Sequence, residues 1–291
     1  MDTIKNPIEF TGKQVAQATS WLGGVARAAR GQAGDRAEPR VRQLELADIR
    51  TALAKGWEDL GAIRSDVVAL CLTYPVVGLV ISILAYDLAR LPLVFPLAAG
   101  FALVGPFFAV AVYELSRRRA AGEPAHWGDA LAAIASPAFG AVFLLGLGLI
   151  ALFVAWLLVA QVIYDLTLGP EQPLSAIAFL EDAVATPAGW VMMGAGFGIG
   201  FLFALAALAG AAFSFPMLMH RDVGIRTAVT ASLRVFRQNT AVMLGWGLTV
   251  ATLLLFASIP AFVGLVFVMP LLGHATWHLY RRAIAWPDET A

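Results

Sequence analysis

Seven polar residues have the types and spacing from which chemistry could be built: Tyr113 and Glu114, then His220, Arg221 and Asp222, then His274 and His278. Positions four apart share one face of a helix, so His274 and His278 could hold a metal or haem with ligands from other helices. The same spacing argues against it. His278 lies about 4.5 Å along a helix axis from Arg281 and His274 about 10 Å, so both fall near a headgroup region. There an imidazole can bond water, phosphate or a carboxylate such as Glu114. The first expectation is a structural role at a wet interface. A lipid-binding polar cluster comes second and a metal or haem site third. No residue is assigned as catalytic, cofactor-binding or metal-ligating.

Other chemistries find little support in the chain. Cys71 is the only cysteine, which rules out an intrachain disulfide and a cysteine metal cluster. His126 sits in a short basic loop and reads as a surface residue. No phosphate-binding Walker sequence and no serine elbow is present. The glycine run GAGFGIG, residues 194–200, lacks the preceding strand that a dinucleotide loop needs, since it lies inside a long uncharged stretch.

That stretch is one of several. The chain is 59% hydrophobic and 14% charged, a balance outside that of soluble globular proteins. A formal net charge of zero gives no reason to expect nucleic acid. No basic segment followed by an apolar core opens the chain, so no cleaved signal is expected. Uncharged gaps hold 20 residues after Asp66, 23 after Arg90, 35 after Asp129, 38 after Asp182 and 43 after Arg237. A membrane helix takes roughly 20 residues. The last gap as a single helix would be about 64 Å long, twice the hydrocarbon thickness, so it should turn near Ser258-Ile259-Pro260-Ala261.

The expected fold is all-α, a polytopic helical bundle of six transmembrane helices in three hairpins. Spans are placed at about 67–86, 91–113, 135–164, 187–215, 240–258 and 262–280. With both termini in the cytoplasm, 19 of the 20 Lys and Arg fall inside and only Arg90 falls outside. That agrees with the positive-inside bias. Residues 1–40 read as a polar, partly disordered cytoplasmic tail, 41–66 as an interfacial amphipathic helix and 283–291 as a second cytoplasmic tail. The outer loops are short except for an acidic segment near residues 165–187. Trp57, Trp127, Trp190, Trp277 and Trp286 read as interface anchors.

Two stretches carry an amphipathic pattern. One stripe is Ile49, Leu53, Trp57, Leu60 and Ile63, and the other is Ile225, Val229, Leu233 and Phe236, with arginines to the side of each. Such helices are expected to lie flat at the inner face, against anionic headgroups. A weaker echo sits at 127–131. The endings PFFAVAVYELSRR and PLLGHATWHLYRR align without gaps, which favours a hairpin unit repeated three times. Paired glycines in 194–200 read first as packing within the bundle and second as a homodimer contact through span four.

GFALVGPFFAVAVYELSRRR, SFPMLMHRDVG and GHATWHLYRR together resemble an uncharacterised bacterial integral-membrane family. Its members sometimes carry the label putative cytochrome c oxidase subunit. The resemblance runs from about residue 41 to 283. In that family an acid is more usual where this chain has His220, which argues against His220 as a required ligand. Six helical histidines are needed by a haem–copper catalytic subunit, and this chain has four in all. The resemblance therefore implies an accessory, scaffold or assembly protein without a redox centre, with attachment to a respiratory complex as the form its label suggests. A small-solute transporter or channel is the alternative, and metal or haem handling the third reading. Partners expected are anionic lipid at the inner face and a membrane protein recruited by residues 1–40. Richness in Ala and Arg with little Lys points to a high-GC bacterium and its inner membrane.

Overall fold

The computed structural model describes residues 23–28, 38–62, 91–125, 139–259 and 262–289. The first span at 67–86, the amphipathic echo at 127–131 and Trp127 lie outside the described residues. Helices account for most of the rest. In chain order they are α1 (Leu46–Ala62), α2 (Leu91–Ala120), α3 (Phe139–Asp165) and α4 (Ala176–Ala185). Then come α5 (Pro187–Ala211), α6 (Ser214–His220), α7 (Ile225–Gln238), α8 (Thr240–Ser258) and α9 (Leu265–Ala283).

Among the described residues, four helical runs are long and apolar enough to cross a membrane: α2, α3, Pro187–His220 and α8. Their outward surfaces are what lipid would meet. On α3, Ile150, Val154, Leu158 and Val162 recur every four residues and all are exposed. On α5 and α8, Phe197, Phe201, Leu248, Leu255 and Phe256 are exposed too. Water would penalise so large an apolar surface, whereas a bilayer solvates it. Between helices the contacts are close and aromatic. The Trp156 indole N–H donates to the Pro96 carbonyl at 2.9 Å, and its ring crosses Gly200, where a Cβ would come within 2.9 Å of it.

The glycine run packs less than its sequence implies. Only Gly200 is covered; a Cβ at Gly194, Gly196 or Gly198 would meet nothing within 4 Å. Among the described residues, then, nothing packs on those three.

Several boundaries differ from the charge-gap reading. α2 extends past residue 113 to Ala120, because Arg117 to Arg119 are good helix formers that remain helical beyond the apolar stretch. It is also interrupted, by a tighter turn at Ala102–Val104 and again at Ala109. The helix expected to 215 stops at Ala211, turns at residues 212–213 and resumes as α6, with Pro216 in its first turn. The long final gap divides as its length demands. α8 ends at Ser258, and α9 begins after a turn in which Phe262 takes a positive φ of 64°.

α1 packs on another helix. It runs antiparallel along the second half of α9, with Asp48 near Arg282, Gly56 on Ala275, and Asp59 on His274 and His278. Its buried stripe is Asp48, Ile49, Ala52, Gly56 and Asp59, while Trp57 is exposed. Of the expected stripe, Ile49 lies in this seam, Leu53 and Leu60 flank it half-buried, and Ile63 lies outside the described residues. Close helix packing selects small side chains there instead. α7 is amphipathic as expected. Ala228, Ala231, Ser232 and Val235 are buried, and Arg226, Arg234 and Arg237 are exposed.

The chain ends are packed as well. The helical residues 23–28 approach α3 so closely that a Cβ at Gly140 would fall 2.4 Å from the Gly24 backbone. Arg40–Val41 (β1) pairs antiparallel with Ile284–Ala285 (β2). Asn239 fixes the strand that follows. Its Oδ1 accepts from the Leu44 N–H at 2.7 Å and its Nδ2 donates to the Arg42 carbonyl at 3.1 Å. Residues 284–289 are thus not a loose tail, and residues 38–45 belong to the folded body.

Candidate functional site: an ionic network at one end of the bundle

The expected constellation resolves into two networks, and the first is centred on a residue that the sequence reading passed over. Asp59, near the end of α1, is 5% exposed. One carboxylate oxygen accepts from the Ser116 hydroxyl at 2.9 Å and from His278 Nε2 at 2.8 Å. The other accepts from Arg119 Nε at 2.8 Å. Ser116 Oγ is also 2.6 Å from His274 Nδ1. With the Ser116 proton committed to Asp59, Nδ1–H of His274 is the donor in that contact. Three helices are therefore joined through one carboxylate: α1 by Asp59, α2 by Ser116 and Arg119, α9 by His274 and His278.

Burial alone would push the Asp59 carboxyl upward. The hydrogen bond from His278, the His278 charge and the Ser116 hydroxyl outweigh it and hold the group below its ordinary value. The anion is the form this site is built to keep.

His274 is not at a wet interface. It is fully buried, and among the described residues its Nε2 has no hydrogen-bond partner; neither does Nε1 of the buried Trp277. Trp286 is also fully buried, while Trp57 and Trp190 are exposed. The anchor reading therefore fails for Trp277 and Trp286. Both fill the joint between α9 and its neighbours, where aromatic area is most useful.

The second network surrounds His220. Its Nδ1 lies 2.9 Å from the Tyr280 hydroxyl, and Arg281 donates to its Nε2 at 2.9 Å. The Trp286 indole N–H donates to the same Tyr280 hydroxyl at 3.2 Å. Arg281 pairs with Glu289 at 2.9 Å, Arg221 pairs with Asp288, and the Arg221 guanidinium stands 4.7 Å from the Trp286 ring centroid. His220 is thus bound to the C-terminal end of the chain and not to His274. Glu114 pairs with Arg117 and Arg118 instead of a histidine. Tyr113 is buried beside them in the same helix, and Asp222 is half-buried after α6.

Asp, Ser and His in one chain invite comparison with a hydrolytic triad. The order is wrong for it. Ser116 gives its proton to the acid, whereas an activated serine gives its proton to the imidazole, and Ser116 is fully buried. The metal reading meets a similar geometry. His274 Nδ1 and His278 Nε2 are turned to separate partners, Ser116 and Asp59. Among the described residues no three His, Cys, Asp or Glu side chains converge as a ligand set.

Asp59, Ser116, Arg119, Asp48 and Arg282 were missed in sequence. The available signal was the spacing Ala52, Gly56, Asp59, a small-residue seam ending in an acid.

Residues 94–222 match the family described as predicted integral membrane protein (DUF2189). The match covers less than half of the chain and agrees with the uncharacterised membrane family to which the motifs pointed; with the several apolar helices, it supports an integral, multi-pass membrane protein. The description names no activity, substrate or complex. Neither the curated proteins nor the solved structures contain a match to this chain.

Proposed function

We propose that this chain is a non-catalytic accessory or assembly protein of a bacterial inner membrane, acting through its cytoplasmic face. In this reading it has six spans in three hairpins, with both termini inside. The observation that supports it most is the way chain segments converge at one end of the bundle. The β1–α1 segment, the Arg117–Arg119 turn, α6 and the C-terminal strand are held together there by two ion-pair networks. Beside them, the exposed arginines 226, 234 and 237 of α7 form no ion pair among the described residues. Bound and paired groups hold the platform, and these exposed cations face anionic lipid or an acidic partner surface. Attachment to a respiratory complex is the form suggested by the family resemblance.

A transporter is the second reading. The interruptions in α2 at Ala102–Val104 and Ala109 favour it, since broken helices build transport sites. Metal or haem handling through the histidines is third, and a homodimer through the open glycines of α5 is an added proposal.

The test compares native-level full chain with a variant lacking residues 1–22, which spares the packed helix at 23–28 and β1. Both should insert and melt alike. A membrane protein should co-purify in fixed ratio with the full chain only. The same partner on both chains, or none on either, would sink the scaffold reading.

A further inference from the structure

α4 lies at the other end of the bundle from the Asp59 network, in the acidic loop between α3 and α5. Its sequence, AIAFLEDAVA, places Ile177, Leu180 and Val184 on one face at spacings of three and four. That face is bare. Ile177 is 70% exposed, Leu180 61% and Val184 58%, and Leu174 just before the helix is exposed as well. At 100° per residue, Glu181 stands about 70° from the centre of this stripe and Asp182 about 170°.

The helix is also held in place. The Ser175 side chain caps its start by accepting from the Ala178 N–H at 3.0 Å. At its end Thr186 turns the chain and caps α5, accepting from the Gly189 N–H at 2.9 Å. α4 approaches α5 so closely that a Cβ at Gly189 would lie 2.3 Å from the Asp182 and Ala183 carbonyl oxygens. From α3, the Tyr164 ring meets Phe179 edge-on at 6.3 Å, and its hydroxyl donates to the Glu171 carbonyl at 2.6 Å. Phe179 and Ala183 are thus the protein-facing side. The bare stripe adjoins that side, and the chain leads from Val184 within a few residues to the exposed Trp190 and Val191 near the start of the membrane helix α5.

We propose that α4 is an interfacial helix lying in the bilayer surface at this end of the bundle, with Ile177, Leu180 and Val184 inserted among the acyl chains and Asp182 turned to water. The occupant is lipid because α4 is packed against the first turn of the membrane helix α5, where the exposed Trp190 is a residue type favoured at headgroup depth. An amphipathic helix in that position buries its apolar face a few ångströms below the headgroups, about 5–10 Å. α4 thereby clamps the ends of α3 and α5 at a fixed depth in the membrane.

The test uses full-length chain carrying Cys71→Ser and one cysteine at 177, 180, 184 or 182. Each variant is spin-labelled and reconstituted in phosphatidylcholine vesicles. All four side chains are exposed, so an unchanged melting temperature will verify that packing is intact. Collision with oxygen should exceed collision with a water-soluble nickel complex at 177, 180 and 184, and the order should reverse at 182. Equal nickel access at all four positions would overturn the proposal, because the stripe would then face water. Protection of the stripe from both reagents would overturn it too, because a second copy or another protein would be covering it.

Discussion

Asp59→Ala is expected to destabilise the chain by about 3 kcal/mol, the range for removing one partner from a buried ion pair. The loss has a specific origin. Arg119, Ser116 and His278 all direct donors at this one carboxylate, and His274 reaches it through Ser116. Removing the acid leaves these groups buried or half-buried with unmet bonds. Thermal melting in detergent or nanodiscs reads the effect. His278→Ala on its own should cost less, and the double variant should fall short of the sum by about 1 kcal/mol, since both remove the same contact. Additive losses would mean that the pair does not act as a unit. The pH dependence gives the sign. The folded-state carboxyl titrates below its ordinary value of 3.8, so its stabilisation is fully present above that pH and is lost as pH falls through the lower folded-state value. Wild type and Asp59→Ala should therefore differ in melting temperature at neutral pH and converge below the ordinary carboxylate range.

Gly56→Val should be comparably damaging, at about 3 kcal/mol, for a steric reason independent of charge. A Cβ at Gly56 would sit 2.8 Å from the Ala275 backbone nitrogen and 3.1 Å from its Cα. Backbone cannot swing aside, so α1 must move off α9. That movement also separates Asp59 from its partners. Limited proteolysis should then cut within residues 38–62, where the wild type resists. Gly61→Val is the control, because a Cβ there meets nothing within 4 Å and surface changes are usually worth less than about 0.5 kcal/mol. Equal sensitivity of the two variants would contradict the packing of α1 on α9.

The membrane helices were legible in sequence because hydrocarbon imposes a length and forbids charge. α8 covers Thr240–Ser258 and α5 starts at Pro187, inside the uncharged gaps that follow Arg237 and Asp182, while residues 135–138 of the third expected span lie outside the described residues. The breaks in α2 were half legible: Pro106 cannot donate to the Ala102 carbonyl and so marks the turn at Ala102–Val104, but nothing in composition marks Ala109. The candidate site was half legible. His274 and His278 drew notice by their spacing, yet hydropathy assigned them to a wet interface. It could not show that α1 covers α9, because the seam is made of Ala52 and Gly56, which carry almost no hydropathy signal. Asp59 looked like one more solvated acid for the same reason. His220 and His274 occupy similar places in similar motifs, yet only tertiary packing separates them, one bound to Tyr280 and Arg281 and the other to Ser116.

The central claim is that the end of the bundle holding the Asp59 and His220 networks faces the cytoplasm. A topology reporter tests it most directly, fused after Ala291 in one chain and inserted after Glu171 in another. The positive-inside count predicts cytoplasmic signal from the first and periplasmic signal from the second. A periplasmic signal from the C-terminal fusion would contradict the account, since it would place the ionic platform and its exposed arginines on the wrong side of the membrane.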